Sequence, residues 1–182
     1  MVEILQDFKP FFGIKQMGIP DVGALHYLQK LGVIDIGSNS VRMVVFDGAA
    51  RSPSYFYNEK ILCGLGLGLI SSGKLNEEGK MRAISAIERF VNIAEAMEVP
   101  QLTLIATAAV RMATDGQAFC KEITKKTKKE VKIINGLEEA RLSAQGVMLG
   151  WPGAYGLICD LGGSSRAGKA LCRAHSAVPC PI

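Results

Sequence analysis

Two segments far apart in the chain, VIDIGSNSVRMVVFDG at 33–48 and GLICDLGGSS at 156–165, constrain the fold more than any other feature. Each is an apolar β-type run that ends on an aspartate and breaks at once into a glycine/serine turn. Such a turn leaves several backbone N–H groups pointing one way with no side chain in front of them, which is how a chain cradles a phosphate. The aspartates at the strand ends, Asp35 and Asp160, add hard oxygens suited to Mg²⁺. Taken singly, either aspartate reads more readily as an ordinary turn cap. Taken together, the two turns predict a clamp that grips a phosphate chain from both sides. Gly37, Ser38, Asn39 and Ser40 are the expected donors to one phosphate, and Gly162, Gly163, Ser164 and Ser165 to another.

The 182 residues fit one domain with a sizeable core. A content of 48% hydrophobic and 21% charged residues with 20 glycines reads as a turn-rich α/β protein rather than a disordered one. A net charge of +4 suits a polyanionic ligand but is too mild to imply nucleic acid. The 5 cysteines are odd in number, and none forms a CxxC pair. That argues against a zinc site or a secreted disulfide framework, and for a reducing cytoplasm. Cys159 falls inside an apolar run and reads as core. The N-terminal segment mixes charges and prolines into its apolar residues, and no run approaches membrane-spanning length, so a soluble protein with no membrane partner is expected.

Residues 1–30 read as an N-terminal extension, in which Asp21 could cap a short helix carrying Leu25, Leu28 and Leu31. Three β-type runs follow, LGVIDIG centred on 32–36, VRMVVFDG at 41–48 and SYFYNEKILCG at 54–64. Their tight connections predict an antiparallel meander. A long helix is expected over 77–97, capped by Asn76, with Glu77 and Glu78 in its first turn and Pro100 just past its end. Met81, Ile84, Ile87, Phe90, Val91, Ala94 and Met97 form its expected apolar stripe. Beyond it come a strand at 102–107, a basic helix at 115–128, a strand at 131–135, a helix at 137–149 and a last strand at 156–162. Strand–helix–strand units imply parallel pairing with right-handed crossovers. The plan is α/β, a three-strand meander followed by alternating helices and strands, as in the ribonuclease-H-like (actin-like ATPase) domain. Residues 166–182, RAGKALCRAHSAVPCPI, lack an alternating pattern and read as an irregular tail.

Other residues admit two readings. Glu138 and Glu139 open the helix after strand 131–135, where the helix dipole alone favours acids. Arg111 follows a strand end and can offer a planar guanidinium to phosphate oxygens, or can be ordinary solvated surface. Lys121, Lys125, Lys126, Lys128 and Lys129 read as a solvated helix face rather than a landing strip for polyanions. His26 and His175 have no neighbouring partners in sequence and receive no role.

With these segments in place, the chain resembles the exopolyphosphatase/guanosine pentaphosphate phosphohydrolase (Ppx/GppA) family from about Gly32 to Ser165. DIGSNSVRMVV, ATAAVR, GLEEARL and DLGGSS carry the resemblance, and the SNS portion of the first is its most specific part. The resemblance implies a cytoplasmic hydrolase that releases the terminal phosphate of inorganic polyphosphate or the 5′-terminal phosphate of guanosine pentaphosphate, with Mg²⁺. It places the catalytic glutamate on Glu138, with Glu139 as the fallback, and makes Arg111 a phosphate ligand. Residues 31–165 correspond to the family's N-terminal lobe. After DLGGSS the family continues into a second lobe, whereas residues 166–182 depart from it, so a second lobe is expected to be absent and activity of this chain alone to be near background. An uncovered sheet edge would favour self-association, and a homodimer is compatible with that. The rival readings are an ATP-dependent kinase or ATPase of the same fold, and a catalytically inactive module that binds polyphosphate or guanosine alarmones.

Overall fold

The computed structural model describes residues 29–48 and 54–151. Strands β1 (Leu31–Ile36), β2 (Ser40–Phe46) and β3 (Tyr55–Leu62) form the expected meander. In β1 and β2 every second residue is buried, so Ile34, Ile36, Val41, Met43 and Val45 all point to one face and lose all solvent contact. Strand β4 (Gln101–Ala106) adds to β1 in parallel, and β5 (Val131–Ile133) adds to β4 in parallel. The sheet order is β3-β2-β1-β4-β5.

The apolar face is covered by two helices. A single-turn helix α1 (Leu69–Ser72) leads into α2 (Glu77–Ala96), whose N-terminus is capped as expected: Asn76 Oδ1 accepts from the Gly79 N–H at 2.8 Å. Ile84, Ile87, Phe90, Val91 and Ala94 of α2 are buried against β1 and β2. Met81 was expected in that stripe but is 64% exposed. Six residues at ~100° each carry it roughly 120° around the helix from Ile87, off the packed face. Met97 caps the helix and packs on the core edge.

After β4 the chain makes a short helix α3 (Ala108–Met112) and then α4 (Gly116–Thr127), which packs on α2 and β5 through Phe119, Cys120 and Ile123. The expected strand at 131–135 ends at Ile133. The Ile134 N–H still donates to the Ala106 carbonyl at 3.1 Å, but Asn135 is diverted into capping α5 (Gly136–Gly150). The N-terminal extension with Asp21 and His26, the strand at 156–162 with Cys159, and the tail with Cys172, His175 and Cys180 lie outside the described residues.

Candidate functional site at the carboxyl edge of the sheet

The register aligns Ile36, Ala106 and Ile133 side by side, so β1, β4 and β5 all release the chain at one edge. In open parallel sheets that edge is where ligands bind, above all where the strand order reverses. Here the order reverses between the parallel neighbours β1 and β4, with β2 and β3 running out to one side and β5 to the other.

The turn after β1 is held from below. Ser38's carbonyl accepts from the Gly66 N–H at 2.7 Å, and Asn39's carbonyl accepts from the N–H groups of Cys63 and Gly64, each at 2.9 Å. The N–H groups of Ser38 and Asn39 are donated to no acceptor among the described residues. With carbonyls tied down and N–H groups uncommitted, the turn has the form of an anion nest. Gly37 departs from its expected role as a donor. Its N–H closes the turn onto the Ser40 carbonyl at 3.0 Å, and a Cβ there would stand 3.1 Å from that oxygen, so Gly37 shapes the turn rather than donating outward. The bracing loop at 63–66 was not anticipated, although the glycine-dense CGLG string signals it. Gly64 has φ +68, a left-handed conformation that favours glycine. The Cys63 thiol is buried, and burial pushes its pKa up, so only its backbone serves the turn.

Asp35 lies two residues before the turn. Its register partners are Arg42 on β2, Ile105 on β4 and, through that residue, Lys132 on β5, so the four form a row on the face opposite the core. The Asp35 Oδ1 is buried. At ~4.8 Å per strand, Asp35 and Lys132 stand roughly 10 Å apart in backbone position.

Glu138 and Glu139 open α5, and the structure gives them different surroundings. Asn135 Oδ1 accepts from the Glu138 N–H at 2.8 Å, which fixes the first turn. The Glu138 carboxylate lies only 3.4 Å from Lys132 Nζ, at the end of the Asp35 row. Glu139 is instead tied to Arg111, whose Nη1 donates to Glu139 Oε2 at 2.9 Å and to the Ile134 carbonyl at 2.7 Å. Arg111 therefore sits in a short helix α3 at the same edge and bridges three elements. Its Nη2 makes no hydrogen bond to a described residue, and it faces Gly136, where a Cβ would lie 3.9 Å away. Asp160 and Gly162, Gly163, Ser164 and Ser165, the second half of the expected clamp, lie outside the described residues. Lys121, Lys125, Lys126 and Lys128 are exposed on or beside α4, the solvated face that the spacing predicts, with Lys126 reaching only Glu88 at 3.9 Å.

The sequence profile of the Ppx/GppA phosphatase family matches residues 32–167. Exopolyphosphatase 1 of Mycobacterium tuberculosis is 33% identical over 139 residues, which is 75% of this chain and 40% of that protein. The exopolyphosphatase 1 of Mycobacterium leprae is 30% identical over 139 residues, again 75% of this chain and 41% of that protein. Among solved structures, an exopolyphosphatase from Cytophaga hutchinsonii is similar at a TM-score of 0.69 and 33% identity, covering 74% of this chain and 44% of its own. The Aquifex aeolicus member of the Ppx/GppA family has a TM-score of 0.63 at 23% identity, over 72% of this chain and 42% of its own, a likeness of fold. The chain thus spans about two fifths of the length of the curated relatives it matches.

Proposed function

This chain belongs to the Ppx/GppA phosphatase family, and we propose that it supplies the phosphate-gripping and water-activating edge of a phosphoanhydride hydrolase acting on inorganic polyphosphate. One observation carries the reading: a single sheet edge presents a turn with uncommitted N–H groups, a buried carboxylate oxygen and a helix that opens on Glu138. Phosphoryl transfer to water needs positioning and charge neutralisation more than covalent help. The N–H groups of Ser38 and Asn39, with the side chains of Ser38, Asn39 and Ser40, hold the terminal phosphate. Gly162, Gly163, Ser164 and Ser165 hold its neighbour. Glu138 takes the proton of the attacking water as oxygen adds to the terminal phosphorus, and the bond to the next phosphate breaks. Glu139, paired with Arg111 at 2.9 Å where Glu138 meets Lys132 at 3.4 Å, is the fallback for that role.

Mg²⁺ fits the donor set. It is characteristically held by one or two carboxylates together with substrate phosphates, and Asp35 brings a buried oxygen beside the turn, with Asp160 as the second carboxylate of the proposal. The ion would offset phosphate charge there. The names of the curated relatives favour polyphosphate as substrate; guanosine pentaphosphate is the finer alternative within the same chemistry.

The test measures phosphate release, with and without Mg²⁺, from polyphosphate, guanosine pentaphosphate and ATP, together with binding of tripolyphosphate. The reading expects Mg²⁺-dependent tripolyphosphate binding by this chain, with release near background from the chain alone and, in a two-lobed form, greater from polyphosphate than from ATP. Turnover of ATP alone would assign a kinase or ATPase. Failure to bind any of the three would overturn the proposal.

A further inference from the structure

The loop at 63–66, which holds the 37–40 turn from below, is itself held by α2. Its N–H groups serve the turn and its carbonyls serve the helix. On the turn side, the N–H groups of Cys63 and Gly64 donate to the Asn39 carbonyl, and the Gly66 N–H donates to the Ser38 carbonyl. On the helix side, the Leu65 carbonyl accepts from the Asn76 N–H at 3.0 Å. The Cys63 carbonyl accepts two bonds from Arg82, from Nε at 3.1 Å and from Nη2 at 2.8 Å. Gly79 permits this approach, since a Cβ there would stand 2.9 Å from the Gly64 carbonyl oxygen and 3.1 Å from that of Cys63. Arg82 lies one helical turn further on and on the same face, which brings its guanidinium to the loop. Its other contact is weak: the Glu78 carboxylate lies 3.4 Å from Nη1, and the Arg82 and Glu78 side chains are 47% and 76% exposed.

The Cys63 carbonyl and the Gly64 N–H belong to one planar peptide unit. Arg82 grips the oxygen of that unit while its N–H holds the Asn39 carbonyl at 2.9 Å. The chain of bonds therefore runs from a guanidinium, through one peptide, into the turn. A charged donor at the head of such a chain makes a strong first bond and polarises the bonds after it. We propose that Arg82 is a positioning residue for the 37–40 turn, acting from α2 through the Cys63–Gly64 peptide and without touching phosphate. The proposal rests on the reading of that turn as a phosphate site. Two donors converging on one main-chain oxygen fix a peptide plane, and fixing that plane holds the Asn39 carbonyl away from the ligand side. The N–H groups of Ser38 and Asn39 are then kept pointing outward before any anion arrives.

The experiment uses the 182-residue chain with tripolyphosphate and Mg²⁺. Arg82→Met, Arg82→Lys and Glu78→Gln are compared with it by titration calorimetry and amide hydrogen exchange. Arg82→Met removes every donor and should weaken binding roughly tenfold, the lower end of what a bond to a charged group contributes. Exchange at Cys63, Gly64 and Gly66 should quicken at least about tenfold while Ile87 and Phe90 in α2 keep their native rates, which separates a loosened turn from general unfolding. Arg82→Lys keeps the charge and one donor nitrogen but loses the fork, and should recover part of the affinity. Glu78→Gln should bind as the unaltered chain does. Weaker binding in Arg82→Met with native exchange at Cys63, Gly64 and Gly66 would put the guanidinium on the ligand itself and overturn the proposal. So would an Arg82→Lys variant no better than Arg82→Met, or an equal loss of affinity in Glu78→Gln. If the unaltered chain binds no tripolyphosphate, the phosphate reading fails and the proposal falls with it. Binding by the unaltered chain that Arg82→Met leaves intact would overturn the proposal alone.

Discussion

A methyl group at residue 116 would stand 1.9 Å from the Val110 carbonyl oxygen, whereas one at residue 146 would meet nothing within 4 Å. Gly116→Ala should therefore destabilise the fold by ~1–3 kcal/mol through forced movement at the α3–α4 joint. Gly146→Ala, in the exposed interior of α5, should stabilise it by ~0.4–1 kcal/mol by restricting the unfolded chain. Paired thermal melts check both signs. Single residues were also where the sequence spoke unevenly. Asn76 announces itself as a cap because a long periodic helix follows it. Asn135 does the same work for α5, but it ends an apolar run and so reads as the last residue of a strand. Asp35, Glu138 and the 37–40 turn are visible in sequence because their chemistry is local. The Arg111–Glu139 pair joins residues 28 apart and needs the β4–β5 register to bring them together. In a two-lobed form of the protein, replacing Glu138 by Gln should cut phosphate release by roughly 10²–10⁴-fold, the usual contribution of a positioned base, with tripolyphosphate binding retained. Binding lost in parallel would reassign the residue to substrate contact.

At the level of elements, the joint between α2 and α4 has a charged pin. Asp115 accepts from the Leu75 N–H at 3.0 Å and pairs with Lys80 at 3.0 Å. Burial pushes its carboxyl up, but the Leu75 N–H and the Lys80 ammonium together outweigh that and hold it below the usual 3.8. A lowered native value means the stabilisation is fully present above pH 3.8 and is lost as pH falls through the native value. Asp115→Asn should thus melt below the unaltered chain at neutral pH, and the gap should close on acidification. A gap independent of pH would deny the pin. The apolar side of the same helix predicts a larger effect: Phe90 is fully buried, and Phe90→Ala should cost ~3–5 kcal/mol. The long helix and the meander were legible because periodicity has room to show itself there. Helices α1 and α3 were not, since 4 or 5 residues are too few for a 3.6-residue period to register. Strand β5 reads two residues too long for a related reason, its apolar run continuing past the point where the backbone turns to cap α5.

Across the whole molecule, the two sheet faces do different jobs. One carries the core under α2 and α4; the other carries the row from Asp35 through Ile105 to Lys132 and on to Glu138. This division follows from the order meander, crossover, crossover, which the sequence displays in the spacing of its apolar runs. The meeting of the 37–40 turn, Arg111 and the acidic helix at one edge follows from the same topology, because right-handed parallel crossovers return each strand end to one side. The support beneath the turn does not follow from that order, since the loop at 63–66 reaches it through backbone bonds that no side-chain pattern encodes. We propose the 37–40 turn as the phosphate cradle. Its most direct test is an amide chemical-shift titration of the 182-residue chain with tripolyphosphate and Mg²⁺. The largest shifts should fall at Ser38 and Asn39, with smaller ones in the first turn of α5 and a weakened response in Asp35→Asn. Shifts confined to the lysine face of α4, with Ser38 and Asn39 unmoved, would contradict it.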